Sequence, residues 1–268
     1  MSRFDTLYKT ARERGRKTFN AYLCAGDPDL HTTELLIKEC DRRGVDSIEL
    51  GVPFSDPVAD GPVIQQAAQR ALEQGASLPK IIPMVARLRN ESSIPIALMS
   101  YYNPIHRYGV EKLVADAADT GIDGLIIPDL PPEEADDLIS QARKLDISTI
   151  FFIAPTTKPE RVPVIGSSST GFIYCVSVTG ITGARNTLPP ELHDSLLRLR
   201  KATSLPLVVG FGISNVETVR MMCEVADGVI VGSAICREIE RHLGRKPEEI
   251  AKAVGEFMQP LIDAAHAQ

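Results

Sequence analysis

The sequence predicts an α/β fold: one (β/α)8 TIM barrel spanning residues 1–268, with an extra N-terminal helix and extra helices after strands two and eight. Three observations predict it. The 268 residues fit a single barrel, which typically has about 250. Eight short runs rich in Ile, Val and Phe alternate with longer segments of helical period, as expected for a parallel sheet buried on both faces. No Pro/Ser linker divides the chain, and Ser167-Ser168-Ser169 reads only as a loop. A doubly wound open sheet is the alternative arrangement of the same units.

A helix over Arg3–Arg14 precedes the first strand and would cap the bottom of the barrel. The strand runs are Thr18–Cys24, Val45–Gly51, Ile94–Met99, Asp123–Pro128, Ile147–Ile153, Gly171–Val176, Leu205–Gly210 and Asp227–Gly232. Thr32 or Thr33 offers an N-cap for a helix over Glu34–Arg43, and Gly44 can close it. Pro62 suits the first turn of a helix reaching Gln74, where Gly75 stops it. Ser77 and Pro79 start a second helix in the same crossover. Further helices read as Val110–Thr120, Glu133–Leu145, Pro190–Ala202, Asn215–Glu224 and Pro247–Ala265, with a short one starting at Ser233. Lys158–Ile165 is a weaker helix because Pro163 interrupts it. Gly44-Val45-Asp46, Gly121-Ile122-Asp123 and Ala226-Asp227-Gly228 echo one another at the starts of strands, too briefly to establish a repeat.

The net charge of −6 argues against nonspecific nucleic-acid binding, which needs excess Lys and Arg. The short basic stretch Arg12–Lys17 reads as a solvated helix end. The N-terminus lacks the apolar core of a signal peptide, and no apolar stretch approaches the length of a membrane span. Five scattered cysteines without a C-x-x-C pair suit a reduced, cytoplasmic protein. The histidines are equally dispersed, so no metal site is expected.

In a barrel of this kind the chemistry gathers at the C-terminal ends of the strands. Alternation along Ser47-Ile48-Glu49-Leu50-Gly51 turns Ser47 and Glu49 inward. A carboxylate inside a packed barrel is costly to ionise; its raised pKa suits proton transfer near neutrality. The plain alternative for Glu49 is an exposed or Arg-paired position at the mouth. The next loop, residues 53–62, sets Asp56 and Asp60 among three prolines. Asp60 fits either a cap for the following helix or a second carboxylate of the site, and Asp56 reads first as an Asx-turn residue. Glycine-bearing turns after strands six, seven and eight (Gly180-Ile181-Thr182-Gly183, Gly210-Phe211-Gly212, Gly232-Ser233) admit close backbone approach to an anion, so together they favour a phosphorylated substrate. Tyr22, Met99, Tyr101, Ile126, Ile153, Tyr174 and Phe211 would give the mouth an apolar, aromatic lining, although each alone also fits the core. No lysine falls within a strand and no histidines cluster, which disfavours both Schiff-base and metal-dependent aldol chemistry. Metal-free acid–base chemistry by carboxylates remains.

These motifs jointly resemble the tryptophan synthase alpha subunit family from about Arg3 to the last helix. The resemblance is carried by Ala25-Gly26-Asp27-Pro28, the stretch from Glu49 to Pro57, Ala59-Asp60-Gly61-Pro62, Ser177–Arg185, Gly210-Phe211-Gly212-Ile213-Ser214 and Gly232-Ser233-Ala234-Ile235. It implies retro-aldol cleavage of indole-3-glycerol phosphate, with Glu49 as acid–base residue and Asp60 at the indole nitrogen. It implies phosphate binding by Gly183, Gly212, Gly232 and Ser233, and Thr182 on a lid over Ser177–Pro189. Tyr174 would border the glycerol, while Tyr22, Ile64, Met99, Ile126, Ile153 and Phe211 line the indole slot. Tyr22 stands where some members have phenylalanine. The family further implies a beta subunit in an α2β2 heterotetramer, contacted by Pro53, Asp56 and Pro57 with Asn103 and Pro104. Pyridoxal phosphate belongs to that partner, and this chain needs no cofactor. The competing readings are a sugar-phosphate isomerase using Cys24 and Asp129, a barrel that only binds and activates a partner, and a stand-alone lyase releasing free indole.

Overall fold

Strands alternate with one or two helices through most of the structure, a computed structural model that describes residues 2–176, 190–210 and 212–268. Helix α1 (Arg3–Glu13) leads into β1 (Thr18–Cys24), α2 (Leu30–Arg43) and β2 (Ser47–Gly51). Two helices, α3 (Pro62–Glu73) and α4 (Leu78–Leu88), precede β3 (Ile96–Met99). Then follow α5 (Tyr102–Tyr108), α6 (Val110–Thr120), β4 (Gly124–Ile126), α7 (Asp136–Lys144), β5 (Ser148–Ile150) and β6 (Phe152–Ile153). The chain continues through α8 (Val162–Ser168), β7 (Ile173–Val176), α9 (Pro190–Ala202), β8 (Leu207–Gly210) and α10 (Val216–Cys223). It ends with β9 (Gly228–Val231), α11 (Ser233–Arg241) and α12 (Pro247–His266).

All pairings are parallel, in the order β5-β4-β3-β2-β1-β9-β8-β7-β6. The two ends of that order, β5 and β6, are pieces of one run, so the sheet comes round on itself as a barrel. The predicted single strand over Ile147–Ile153 is therefore interrupted at Phe151: Ile150 pairs with Ile126 of β4, whereas Phe152 pairs with Tyr174 of β7.

Two apolar layers follow from the alternation of side chains. Ile48, Leu50, Ile96, Leu98, Val209 and Val231 face outward into the helices. Tyr22, Ala97, Ile126, Ile150, Tyr174 and Ile230 fill the interior. Helix α1 closes the bottom as expected: Phe4 and Tyr8 each place their rings 5.7 Å from that of Phe172. The extra helices after the second and eighth strand positions are α3 and α11.

Several local expectations are corrected. Asp29, not Thr32 or Thr33, caps α2; its Oδ1 accepts from the Thr32 N–H at 2.7 Å, and the helix starts at Leu30. Thr33 is instead committed to the preceding turn, where its hydroxyl accepts from the Gly26 N–H at 3.0 Å. Asn103 and Pro104, for which no helix was predicted, lie in the first turn of α5, after Tyr101 at its N-cap. Its seven residues are too short to show a helical period. Pro163 lies in the first turn of α8, where a proline is tolerated, so it starts that helix rather than breaking it.

The echo between strand starts has a physical basis. Each of its aspartates accepts from the first free N–H of the neighbouring strand: Asp46 from Phe19, Asp123 from Ile96 and Asp227 from Leu207, all at 2.8 Å. Each is also neutralised, Asp46 by Arg16 (2.7 Å), Asp123 by Arg3 (2.6 Å) and Asp227 by Arg200 (2.7 Å). These contacts stitch the bottom rim and leave the opposite rim to the site.

Candidate active site

Glu49 is the third residue of β2, flanked in register by Tyr22 of β1 and Ala97 of β3. Alternation turns it into the lumen, where it is 2% exposed. Below it Ser47 donates to Asn20 at 2.6 Å, and Asn20 in turn donates to the Val229 carbonyl at 2.9 Å. Among the described residues neither Glu49 oxygen has a hydrogen-bond partner. Burial alone pushes its carboxyl up to about 8, so it carries its proton at neutral pH. The exposed or Arg-paired alternative is thereby set aside.

Glu49 opens onto a cavity of about 400 Å³ at the C-terminal ends of the strands. Of the predicted residues, Tyr22, Asp60, Ile64, Met99 and Tyr174 line it. Gly212, Gly232 and Ser233 form another part of its wall. Gly212 has φ +76°, a conformation that favours glycine, and Ser233 opens α11, whose N-terminal N–H groups suit an anion. Arg237, one turn further along the same helix, also lines the cavity and was not anticipated. Its signal was present in the spacing, since residues i and i+4 share a helix face.

Asp60 does not cap α3. The cap position is Gly61, without a side-chain hydrogen bond, while the Asp60 carboxylate accepts from the Tyr101 hydroxyl at 3.1 Å. Burial raises its pKa and the Tyr101 bond partly offsets the rise. Burial likewise holds the Tyr22 and Tyr174 phenols well above their ordinary range, so both remain protonated.

Ile126 lies in the interior layer beneath the cavity, fully buried. Ile153 is corrected: it packs in the outer layer, and Phe152 takes the inward place, its ring 4.7 Å from that of Tyr174. Period-two alternation counted from Ile126 and its partner Ile150 identifies Phe152 as the inward residue. Thr182, Gly183, Phe211 and the segment 177–189 lie outside the described residues. In the loop after β2, Asp56 is exposed and accepts from the Ser55 hydroxyl at 2.5 Å. Pro57 and Pro104 are half-buried and Asn103 is exposed, whereas Pro53 is buried. Cys24 and Asp129, the pair considered for isomerase chemistry, have structural roles. Burial pushes the Cys24 thiol up, and Asp129 accepts from the Tyr102 N–H at 2.8 Å at the start of α5.

Two glycines make room for the tyrosines. A Cβ on Gly210 would sit 2.2 Å from the Tyr174 hydroxyl, and one on Gly51 2.3 Å from that of Tyr22. Gly210→Ala is therefore expected to lower stability by about 1–3 kcal/mol, the usual cost of overpacking. A chemical-denaturation midpoint equal to that of the unaltered chain would show that the Tyr174 ring can yield.

A barrel whose C-terminal mouth encloses a buried, protonated carboxyl, a second carboxylate and an anion-suited helix start belongs to the class of (β/α)8-barrel enzymes. The chain is a member of the tryptophan synthase alpha chain family, and the profile of that family matches residues 8–266. The tryptophan synthase alpha chain of Geobacter sp. (strain M21) is 45% identical over 261 residues, covering 97% of each chain. That of Thermoanaerobacter sp. (strain X514) is 41% identical over 261 residues, 97% of this chain and 98% of the relative. Among solved structures, tryptophan synthase subunit alpha from Legionella pneumophila str. Paris superposes with a TM-score of 0.90 at 36% identity, covering 99% of this chain and 98% of that one. A chain of the tryptophan synthase complex from Pyrococcus furiosus gives 0.81 at 39% identity, covering 91% and 98%. The chain is thus an enzyme of tryptophan biosynthesis. Among the described residues no helix is long and apolar enough to cross a membrane, and no group of His, Cys, Asp and Glu is placed to hold a metal ion.

Proposed function

We propose that this chain cleaves indole-3-glycerol phosphate to indole and glyceraldehyde 3-phosphate by carboxylate acid–base catalysis. The observation that carries this reading is Glu49, buried in the mouth and protonated at neutral pH with neither oxygen bonded among the described residues. Glu49 gives its proton to indole C3, which turns the ring into an electron sink. It then accepts the proton of the hydroxyl on the adjacent carbon. The carbon–carbon bond breaks, its electrons return to the ring nitrogen, and the carbinol carbon leaves as the aldehyde. Asp60 faces the ring N–H and stabilises the positive charge that develops there. The apolar and aromatic wall holds the ring, Tyr174 borders the glycerol, and Gly212, Gly232 and Ser233, with Gly183, receive the phosphate at the start of α11. Thr182 assists the reaction in this reading, as the family resemblance implies.

The partner in this reading is a pyridoxal-phosphate-dependent beta subunit, joined in a cytoplasmic α2β2 heterotetramer that takes the indole onward. Asp56, Pro57, Asn103 and Pro104 form the contact. Triose-phosphate release from indole-3-glycerol phosphate, measured with the chain alone and with a beta subunit, tests both parts. Strong activation on mixing is the expected result. Equal rates would leave a stand-alone lyase, and no release in either mixture would leave a barrel without this activity.

A further inference from the structure

Tyr101 was expected only as part of the aromatic lining of the mouth, yet among the described residues it makes the sole hydrogen bond to the Asp60 side chain. It is 5% exposed. Its hydroxyl accepts from the Ala59 N–H at 2.9 Å while donating to Asp60 Oδ2 at 3.1 Å, and its ring lies 5.5 Å from that of Phe54. One phenol therefore grips the loop after β2 at three points: a ring, a backbone amide and the carboxylate. The phenol itself is anchored from below. Tyr101 is the N-cap residue of α5, and the next amide, Tyr102 N–H, is held by Asp129 beyond β4. Within the loop and its helix, Gln65 holds only the Asp60 backbone carbonyl, at 2.8 Å, and leaves the carboxylate to Tyr101. Gly61 caps α3 without a side chain, and Val58 beside it is 82% exposed.

The geometry points to Tyr101 as a positioning residue for Asp60, fixing the carboxylate's direction by holding one oxygen so that the other is left to face a donor on the substrate. This rests on the reading of Asp60 as the group at the ring nitrogen. A carboxylate on two free torsions loses entropy when it must meet an N–H in one direction, and a preformed bond to Oδ2 removes that loss beforehand. The bond also favours the ionised form. The other titratable or charged groups around Asp60 are Glu49, Tyr22, Cys24, Tyr174, Cys236 and the Arg237 guanidinium. None of them hydrogen-bonds to it among the described residues. With the hydroxyl gone, burial acts on Asp60 unopposed and its pKa rises further.

Tyr101→Phe keeps the ring against Phe54 and deletes only the hydroxyl. The expected result is a kcat lower by about 10-fold, the effect of one hydrogen bond to a charged group, with KM within about twofold of the unaltered chain. The acid limb of the pH–rate profile should move to higher pH. The Asp60 carboxyl midpoint, followed by 13C NMR, should rise in the same sense, and this reading needs no turnover. Combining Tyr101→Phe with Asp60→Asn should cost no more than Asp60→Asn alone, because the two act through one carboxylate. An unshifted NMR midpoint in Tyr101→Phe, or a full extra loss in the double variant, overturns the assignment. A substantial rate in Asp60→Asn, with the midpoint still shifted in Tyr101→Phe, would instead locate the error in the role given to Asp60.

Discussion

Replacing Glu49 with glutamine is expected to lower triose-phosphate release by at least about 10³-fold, within the range that a positioned general acid–base contributes, while the barrel stays folded. Glutamine fills the same volume between Tyr22 and Ala97 but neither delivers nor accepts the proton. The same change should stabilise the protein. In the unfolded chain Glu49 ionises near 4.5, whereas in the barrel it holds its proton up to about 8. Above the unfolded value the native state binds the extra proton, so this residue's contribution to stability falls as pH rises towards 8. The penalty at pH 7 is on the order of 3 kcal/mol, and it vanishes below the ordinary carboxylate range. Thermal melts at pH 5 and pH 8 should therefore show a small gain for Glu49→Gln at the lower pH and a larger one at the higher. Residual turnover within tenfold of the unaltered chain would remove Glu49 from its role, and a melting gain that does not grow with pH would show that the carboxyl is not buried as described.

Asp60→Asn is the second large effect. An amide at this position still reaches the Tyr101 hydroxyl but carries no charge to set against an indolenium nitrogen. The expected loss in kcat is about 10²–10³-fold, as for removal of one group aimed at developing transition-state charge. Binding of an unreactive indole-containing phosphate should change much less, because in the ground state the ring nitrogen is neutral. Steady-state kinetics together with titration calorimetry separates the two. Equal losses in kcat and in ground-state affinity would mean that Asp60 shapes the slot rather than the transition state. An intact rate would leave it as a loop residue held by Tyr101.

The frame and its carboxylates were readable in the sequence because both depend on period-two patterning and punctuation. Buried parallel strands produce continuous apolar runs, and within Ser47–Gly51 alternation alone turned Glu49 inward. Where the reading left alternatives open or fell short, a contact distant in sequence decided the outcome. Asp60 answers to Tyr101, 41 residues away, rather than to the helix two positions on. The interruption at Phe151 expresses the need to pair with β4 on one side and β7 on the other, a demand of barrel closure that no single run reveals. Ile153 was different: alternation carried through the break identifies Phe152, so the information was present. The helix α5 had no local signature, since seven residues give too little period.

The aspartates that bind the strand starts occupy the end of the barrel away from the cavity, and each meets a basic side chain there. Upkeep of the scaffold and upkeep of the chemistry are thus assigned to different loops. Exchanges at the mouth can be absorbed one loop at a time without loosening the ring of staves beneath. Such a division gives a lineage freedom to drift towards new substrates while inheriting an unchanged frame.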